Sequence, residues 1–202
     1  MYEVLKQSLP PRLVQWSENA ALIRSCEELD ALSLPATGIY ALPAPEAELS
    51  PFIGRCHVVA QTKRQLSALE QCAAGHPFSV GLLLHIDGDD NAAGFSVDAL
   101  GDLRAFLQTL PRVSVAGCLI DASFCGAQGA ALGRFFTASY QAAKTMSAVV
   151  PCAMPYFGVC GALAALEENR RRSPATLPQA LTPLETVAMQ NDTAFYARFL
   201  LF

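Results

Sequence analysis

Short apolar runs recur along the chain, and most are followed by a segment whose apolar positions fall three or four apart, the alternation of buried strands with amphipathic helices. "RLVQW", Arg12 to Trp16, reads as a first short strand, and Ser17 as the cap of a helix with Glu18 in its first turn, running to about Leu32. "TGIYAL", Thr37 to Leu42, reads as a second strand, "PEAELSPFIG" as a brief helical turn, and "CHVVAQ", Cys56 to Gln61, as a third strand. Thr62 caps a helix that stops at Gly75, and "SVGLLLHID" follows as a fourth strand. "SVDALGDLRAFLQTL" carries Val97, Leu100, Leu103, Phe106 and Leu107 on one helical face. Val113 to Asp121 is a fifth strand, a helix covers Gln128 to Met146, and "AVVPCAM" reads as a sixth strand. "VCGALAALEEN" fits a seventh strand or a short helix.

The strands are apolar almost throughout, as in a parallel sheet covered on both faces. The expected class is therefore α/β, with parallel strands alternating with helices. A doubly wound sheet and a (β/α) barrel both fit, and the number of units favours an incomplete or modified TIM-type barrel. After Asn169 the texture changes. "RRRSPATLPQALTPLE" reads as an extended Pro-rich linker, and "TAFYARFLLF" as an apolar end that either returns to the core or adds to a partner's sheet or groove. This divides the chain into a barrel domain, residues 1–169, and a linker with an apolar C-terminal segment, residues 170–202.

Composition adds one pressure to that picture. Hydrophobic residues make up 52% of the 202 residues and charged residues 16%, against roughly 25% charged in an ordinary soluble domain. Either the core is large or part of the surface is covered by a partner. The net charge of −4 implies no nucleic-acid partner, and the basic run Arg170, Arg171, Arg172 is too short for a nucleic-acid patch. Seven cysteines, an odd number without a C-x-x-C pair, read as reduced thiols of an intracellular protein, in the cytoplasm or an organelle such as the mitochondrion. The opening "MYEVLKQSLPPRL" has no apolar signal core, and no apolar run is long enough for a transmembrane helix.

The stretch "HIDGDDNAAGF", His85 to Phe95, looks like a functional loop at a strand end, yet it holds three aspartates and no cation. Asp87, Asp89, Asn91 and Asp98 fit a calcium-loop spacing, but Ala92 stands where glycine is needed and a strand precedes the loop. His85 and His57 lie in strands without a second ligand at metal spacing. Ser123 and Cys125 follow a strand but lack a nucleophile elbow or an assignable base. "CGAQGAALG", Cys125 to Gly133, opens a helix as a close-packing turn or as a phosphate site at the helix N-terminus.

Arg12 to about Leu163 resembles the N-terminal barrel domain of alanine racemases, pyridoxal-phosphate enzymes. The resemblance is carried mainly by "HIDGDDNAAGFSVDALGDLRAFLQTLPRVSVAGCLI", beside a family motif close to "LKVDTGMxRxGF", and secondarily by "ATGIYALPAPEAELSPFIGRCHVVAQTKRQLSALEQCAAG". It implies a barrel whose first strand ends in a lysine that attaches the cofactor. The chain departs from it in several places. Its three lysines, Lys6, Lys63 and Lys144, fall at no such position, and the first strand–helix unit looks missing. His85 stands where the family has lysine and Ala92 where it has arginine; "IDASFC" lacks a histidine, and "VCG" replaces "RPG". About 20 residues follow Pro183, too few for the second domain that supplies the family's catalytic tyrosine, and Tyr196 matches no motif. The expectation is a truncated, degenerate, non-catalytic relative with no cofactor, acting as a structural or accessory subunit among protein partners. No catalytic, cofactor-binding or metal-ligating residue is assigned. The alternative is a pyridoxal-phosphate-binding protein or an amino-acid racemase with a residual cofactor site.

Overall fold

The computed structural model describes residues 2–18, 20–23, 25–31, 39–41, 50–52, 55–73, 78–85, 94–122, 128–189 and 198–201. Two helices open the chain, α1 (Tyr2–Lys6) and α2 (Pro11–Glu18). Strand β1 (Ala21–Ile23), helix α3 (Cys26–Ala31), strand β2 (Ile39–Ala41), a 3-10 turn (Ser50–Phe52) and strand β3 (His57–Ala60) follow. Helix α4 (Lys63–Cys72) leads to β4 (Phe78–His85), the two-residue β5 (Phe95–Ser96), a 3-10 turn (Val97–Ala99) and α5 (Leu100–Leu107). Strand β6 (Val113–Asp121), helix α6 (Ala130–Val149), strand β7 (Cys152–Cys160) and helix α7 (Ala162–Arg172) come next. A 3-10 turn (Pro174–Thr176), helix α8 (Leu177–Met189) and strand β8 (Arg198–Leu201) complete the described chain.

The strands form one sheet in the order β1-β2-β3-β4-β6-β7-β8, with β5 paired to the end of β4, and every pairing is parallel. This is the expected α/β alternation. Among the described residues the sheet does not close, and β1 and β8 are its edges. The edge at β8 is covered by the chain's own α2: the Leu201 amide donates to Ser17 Oγ at 2.9 Å. An edge strand's outward N–H thereby finds an acceptor that is not another strand. The main core lies between the helices and one face of the sheet, with Leu66 of α4, Phe136 of α6 and Phe157 of β7 fully buried in it. Among the described residues Val4 is the exposed large apolar side chain, so the high hydrophobic fraction is absorbed there by the core.

Several sequence expectations are corrected. "RLVQW" is helix, not strand: Leu5, Leu9 and Leu13 recur four apart and are all buried, a helical period that a five-residue window does not display. Pro11 sits at the first helical position, where its missing N–H costs nothing. Ser17 therefore lies in the last turn of α2 and does not cap a helix to Leu32; β1 and α3 occupy that stretch. The first strand of the sheet is Ala21–Ile23.

The sixth strand lies further along than "AVVPCAM". Helix α6 continues to Val149, Pro151 stops it, and β7 begins at Cys152. Pro155 falls where the register skips, between Val115↔Cys152 and Gly117↔Tyr156, so its absent N–H breaks no regular ladder. Residues 170–189 are not an extended linker. Pro174 and Pro178 stand in the first turns of helical elements, where proline is tolerated. Pro183, inside α8, leaves the Gln179 carbonyl without its usual helical donor, and that carbonyl lies against Gly133 of α6. The apolar end, expected either to return to the core or to add to a partner, pairs with β7 of the same chain through β8 and buries Leu201.

Candidate functional site

A parallel sheet gathers the C-terminal ends of its strands on one rim, where barrel and open-sheet proteins place their ligands. Here β1 ends at Ile23, β3 at Ala60, β4 at His85, β6 at Asp121 and β7 at Cys160. Alternation along the strands divides the two faces. Val58, Leu82, Cys118 and Val159 belong to the main core, whereas Val59, Leu83, Ala116, Leu119 and Cys160 form a separate small cluster with Ala20 and Leu22 against it.

Register then sets the rows on that second face. Leu83 pairs with Leu119 and Leu119 with Gly158, which makes one apolar row. One step nearer the rim, Asp121 pairs with Cys160. Leu84 pairs with Ile120, so the next position on β4, His85, comes level with Asp121. Adjacent strands thus carry His85, Asp121 and Cys160 in a single row. Asp121 is half-buried and Cys160 buried, and the Ala122 amide donates to the Cys160 carbonyl at 2.8 Å, holding the end of β6 to β7. Among the described side chains alone, no three His, Cys, Asp or Glu residues cluster; His85 joins the row through its backbone position.

The loop motif is explained in part. Gly94 has φ +117°, and a Cβ there would meet the Leu83 carbonyl oxygen at 2.7 Å, so only glycine lets this segment approach β4 and pair Phe95 with Leu84. Asp98 lies in the 3-10 turn and donates its amide to Ser96 Oγ at 3.3 Å, as a turn residue does. Asp87, Asp89, Asn91 and Ala92 lie outside the described residues, as do Ser123 and Cys125. His57 starts β3, at the opposite end from the rim.

The helix N-termini differ. At α4, Gln65 Oε1 accepts from the Gln61 and Thr62 amides at 2.8 and 3.1 Å, and Thr62 Oγ1 accepts from the Gln65 amide, a complete capping box. At α6, the Gly129 amide donates to Asn169 Oδ1, and a Cβ on Gly129 would meet the Thr176 side chain at 2.9 Å. The described part of the glycine-rich turn, residues 128–133, therefore packs against the protein's own α7 and α8 segments, the Gly129 amide taken by a side-chain carbonyl oxygen. At α7, Gly161 is left-handed (φ 73°) with no side-chain cap.

The lysines all lie on helices. Lys6 ends α1 and pairs with Glu18 at 3.0 Å, Lys63 begins α4 with its amine 5.4 Å from the Phe106 ring centre, and Lys144 lies within α6. The three arginines after Asn169 are matched by acids of their own helix: Arg170 grips Glu167 with two bonds of 2.7 and 2.9 Å, and Arg171 and Arg172 pair with Glu168. None of the six described cysteines is joined in a disulfide. Burial pushes the Cys152 thiol up to about 11 and the Cys118 thiol well above its ordinary range, so neither is a nucleophile.

Two positions at the strand and helix ends escape sequence reasoning. Cys160 becomes a rim residue only once β7 is placed correctly, and Asn169 caps a helix from 40 residues away. Neither has a local signal; a buried asparagine at the end of an amphipathic helix was the available hint.

The sequence matches no protein-family model and no curated protein. Solved structures do match. An alanine racemase-like protein from Idiomarina loihiensis is 22% identical, with TM-score 0.56, over 71% of this chain and 42% of that one. The arginine decarboxylase of Paramecium bursaria Chlorella virus is 15% identical, with TM-score 0.68, over 98% and 59%. PipY from Synechococcus elongatus, a COG0325 family member solved without PLP, is 14% identical, with TM-score 0.58, over 98% and 94%. The chain spans less than two thirds of the first two proteins. These likenesses establish the fold: an α/β architecture of parallel strands alternating with helices, as in these proteins.

Proposed function

We propose that this chain is a non-catalytic protein on the alanine-racemase-like fold, serving as a structural or accessory subunit of a larger assembly. One observation carries the first part. No described strand contains a lysine or is directly followed by one, whereas the resemblance places the cofactor lysine at the end of a strand. Lys6, Lys63 and Lys144 all lie on helices. The residues present do not fit covalent attachment of pyridoxal phosphate. The assembly role rests on this absence of placed racemase chemistry, which leaves the fold itself as what the chain would contribute.

A second reading, a protein that holds pyridoxal phosphate without a covalent link, has one observation in its favour: α7 opens at Gly161 on the rim with no side-chain cap, leaving amides that suit an anion. Both readings are tested by titrating the purified protein with pyridoxal phosphate while following absorbance and alanine racemisation. The first expects neither spectral change nor turnover. A saturable spectral change without turnover would move the assignment to the second, and turnover would overturn both.

A further inference from the structure

We propose that the outer face of α6 and α8 is a self-association surface, on which a second copy of this chain docks about a two-fold axis. The inference goes beyond the accessory role above and stands without it, since it involves no cofactor. It starts from the positions that meet solvent. Along α6 these are Ala130, Arg134, Thr137, Gln141, Thr145 and Ala148, a narrow stripe at helical spacing. Beside it, α8 exposes Pro178, Gln179, Thr182, Glu185 and Thr186. Two of these eleven positions carry a charge, whereas half or more of the exposed positions on α2, α3, α4, α5 and α7 do. Depletion of charge is what separates an interface core from ordinary surface.

The hydroxyls on this face need little from water. Thr137 Oγ1 donates to the Gly133 carbonyl at 3.1 Å, Thr182 Oγ1 to the Pro178 carbonyl at 2.9 Å and Thr186 Oγ1 to the Thr182 carbonyl at 3.0 Å. Covering the face therefore orphans none of these donors. The two charges identify the occupant. Arg134 and Glu185 are exposed, and among the described residues neither makes an ion pair; Lys144, half-buried beside the stripe, is already engaged within the chain. Gly129 meets Thr176 and Gln179, and Gly133 meets Gln179 and Pro183, so α6 and α8 run parallel. Arg134 and Glu185 then lie within about one turn of the same level. A two-fold axis running along the helices and between them lays α6 of one copy on α8 of the other. The Arg134 of each copy then faces the Glu185 of its mate, two ion pairs from one self-complementary patch. Twenty residues make α6 about 30 Å long, and two helices side by side are about 20 Å wide. The face thus offers about 600 Å2 on each copy, about 1,200 Å2 together, the low end for a specific interface.

The test is sedimentation equilibrium of the full chain at low salt from about 1 to 100 μM, the range in which an interface of this size associates. A monomer–dimer equilibrium is expected. Arg134→Glu alone, and Glu185→Arg alone, each set like charges opposite one another and should weaken dimerisation by roughly tenfold or more. The double variant Arg134→Glu/Glu185→Arg restores the opposite-charge pairs and should return the dimer to within about threefold of the parent. Both positions are exposed, so circular dichroism should show the parent fold in all three variants. A parent protein that stays monomeric across the range overturns the proposal. So does a dimer that neither single reversal weakens, or one that the double reversal fails to restore.

Discussion

Gly133 shows how one residue decides a helix pairing. A Cβ there would meet the Gln179 carbonyl oxygen at 2.5 Å, and that oxygen belongs to the turn of α8 that Pro183 leaves without its usual donor. The neighbour is backbone and cannot step aside, so Gly133→Ala should destabilise the fold by about 1–3 kcal/mol, read from urea unfolding. Glu167 makes a different kind of statement. The Arg170 guanidinium bonded to it holds its carboxyl below the usual glutamate range. A depressed folded value means that the pair stabilises above the unfolded glutamate's pKa, and that this stabilisation is lost as pH falls through the folded value. Glu167→Gln should therefore flatten the acid side of the stability–pH curve and leave its slope near neutrality unchanged. An unaltered acid limb in urea titrations at stepped pH would contradict the assignment.

Elements with a long periodic signal were legible. The capped α4, the strands at Phe78–His85 and Val113–Asp121, and most of α6 follow from apolar period and cap chemistry. Short elements were not. Leu5, Leu9 and Leu13 span two helices and an intervening turn, so no single window held the pattern, and a three-residue β1 carries almost none. Prolines misled twice: they suggested a linker where they begin helices, and Pro155 hid the length of β7. The site suffered accordingly, since the partnership of Asp121 with Cys160 is a fact of register between strands. The same long-range logic governs the seam, where α2 stands against β8. Ser17→Ala should cost about 0.5–1.5 kcal/mol and speed hydrogen exchange at the Leu201 amide, with the β4–β6 amides unaffected. Exchange at Leu201 unchanged from the parent protein would show that Ser17 is not its acceptor in solution.

At the scale of the molecule, a parallel sheet that does not close among the described residues is covered by helices, and its low charge is accounted for there by a large core and few exposed apolar side chains. The fold is similar to that of an alanine racemase-like protein and of PipY, whereas all three lysines lie on helices and none ends a described strand. The proposed absence of covalent cofactor chemistry thus turns on lysine. The most direct measurement is incubation of the purified chain with pyridoxal phosphate, borohydride reduction, and intact-mass and peptide mapping. No stoichiometric adduct is predicted, only scattered labelling across Lys6, Lys63 and Lys144. A single adduct on one lysine at one equivalent would contradict the account and identify the residue that restores the enzyme.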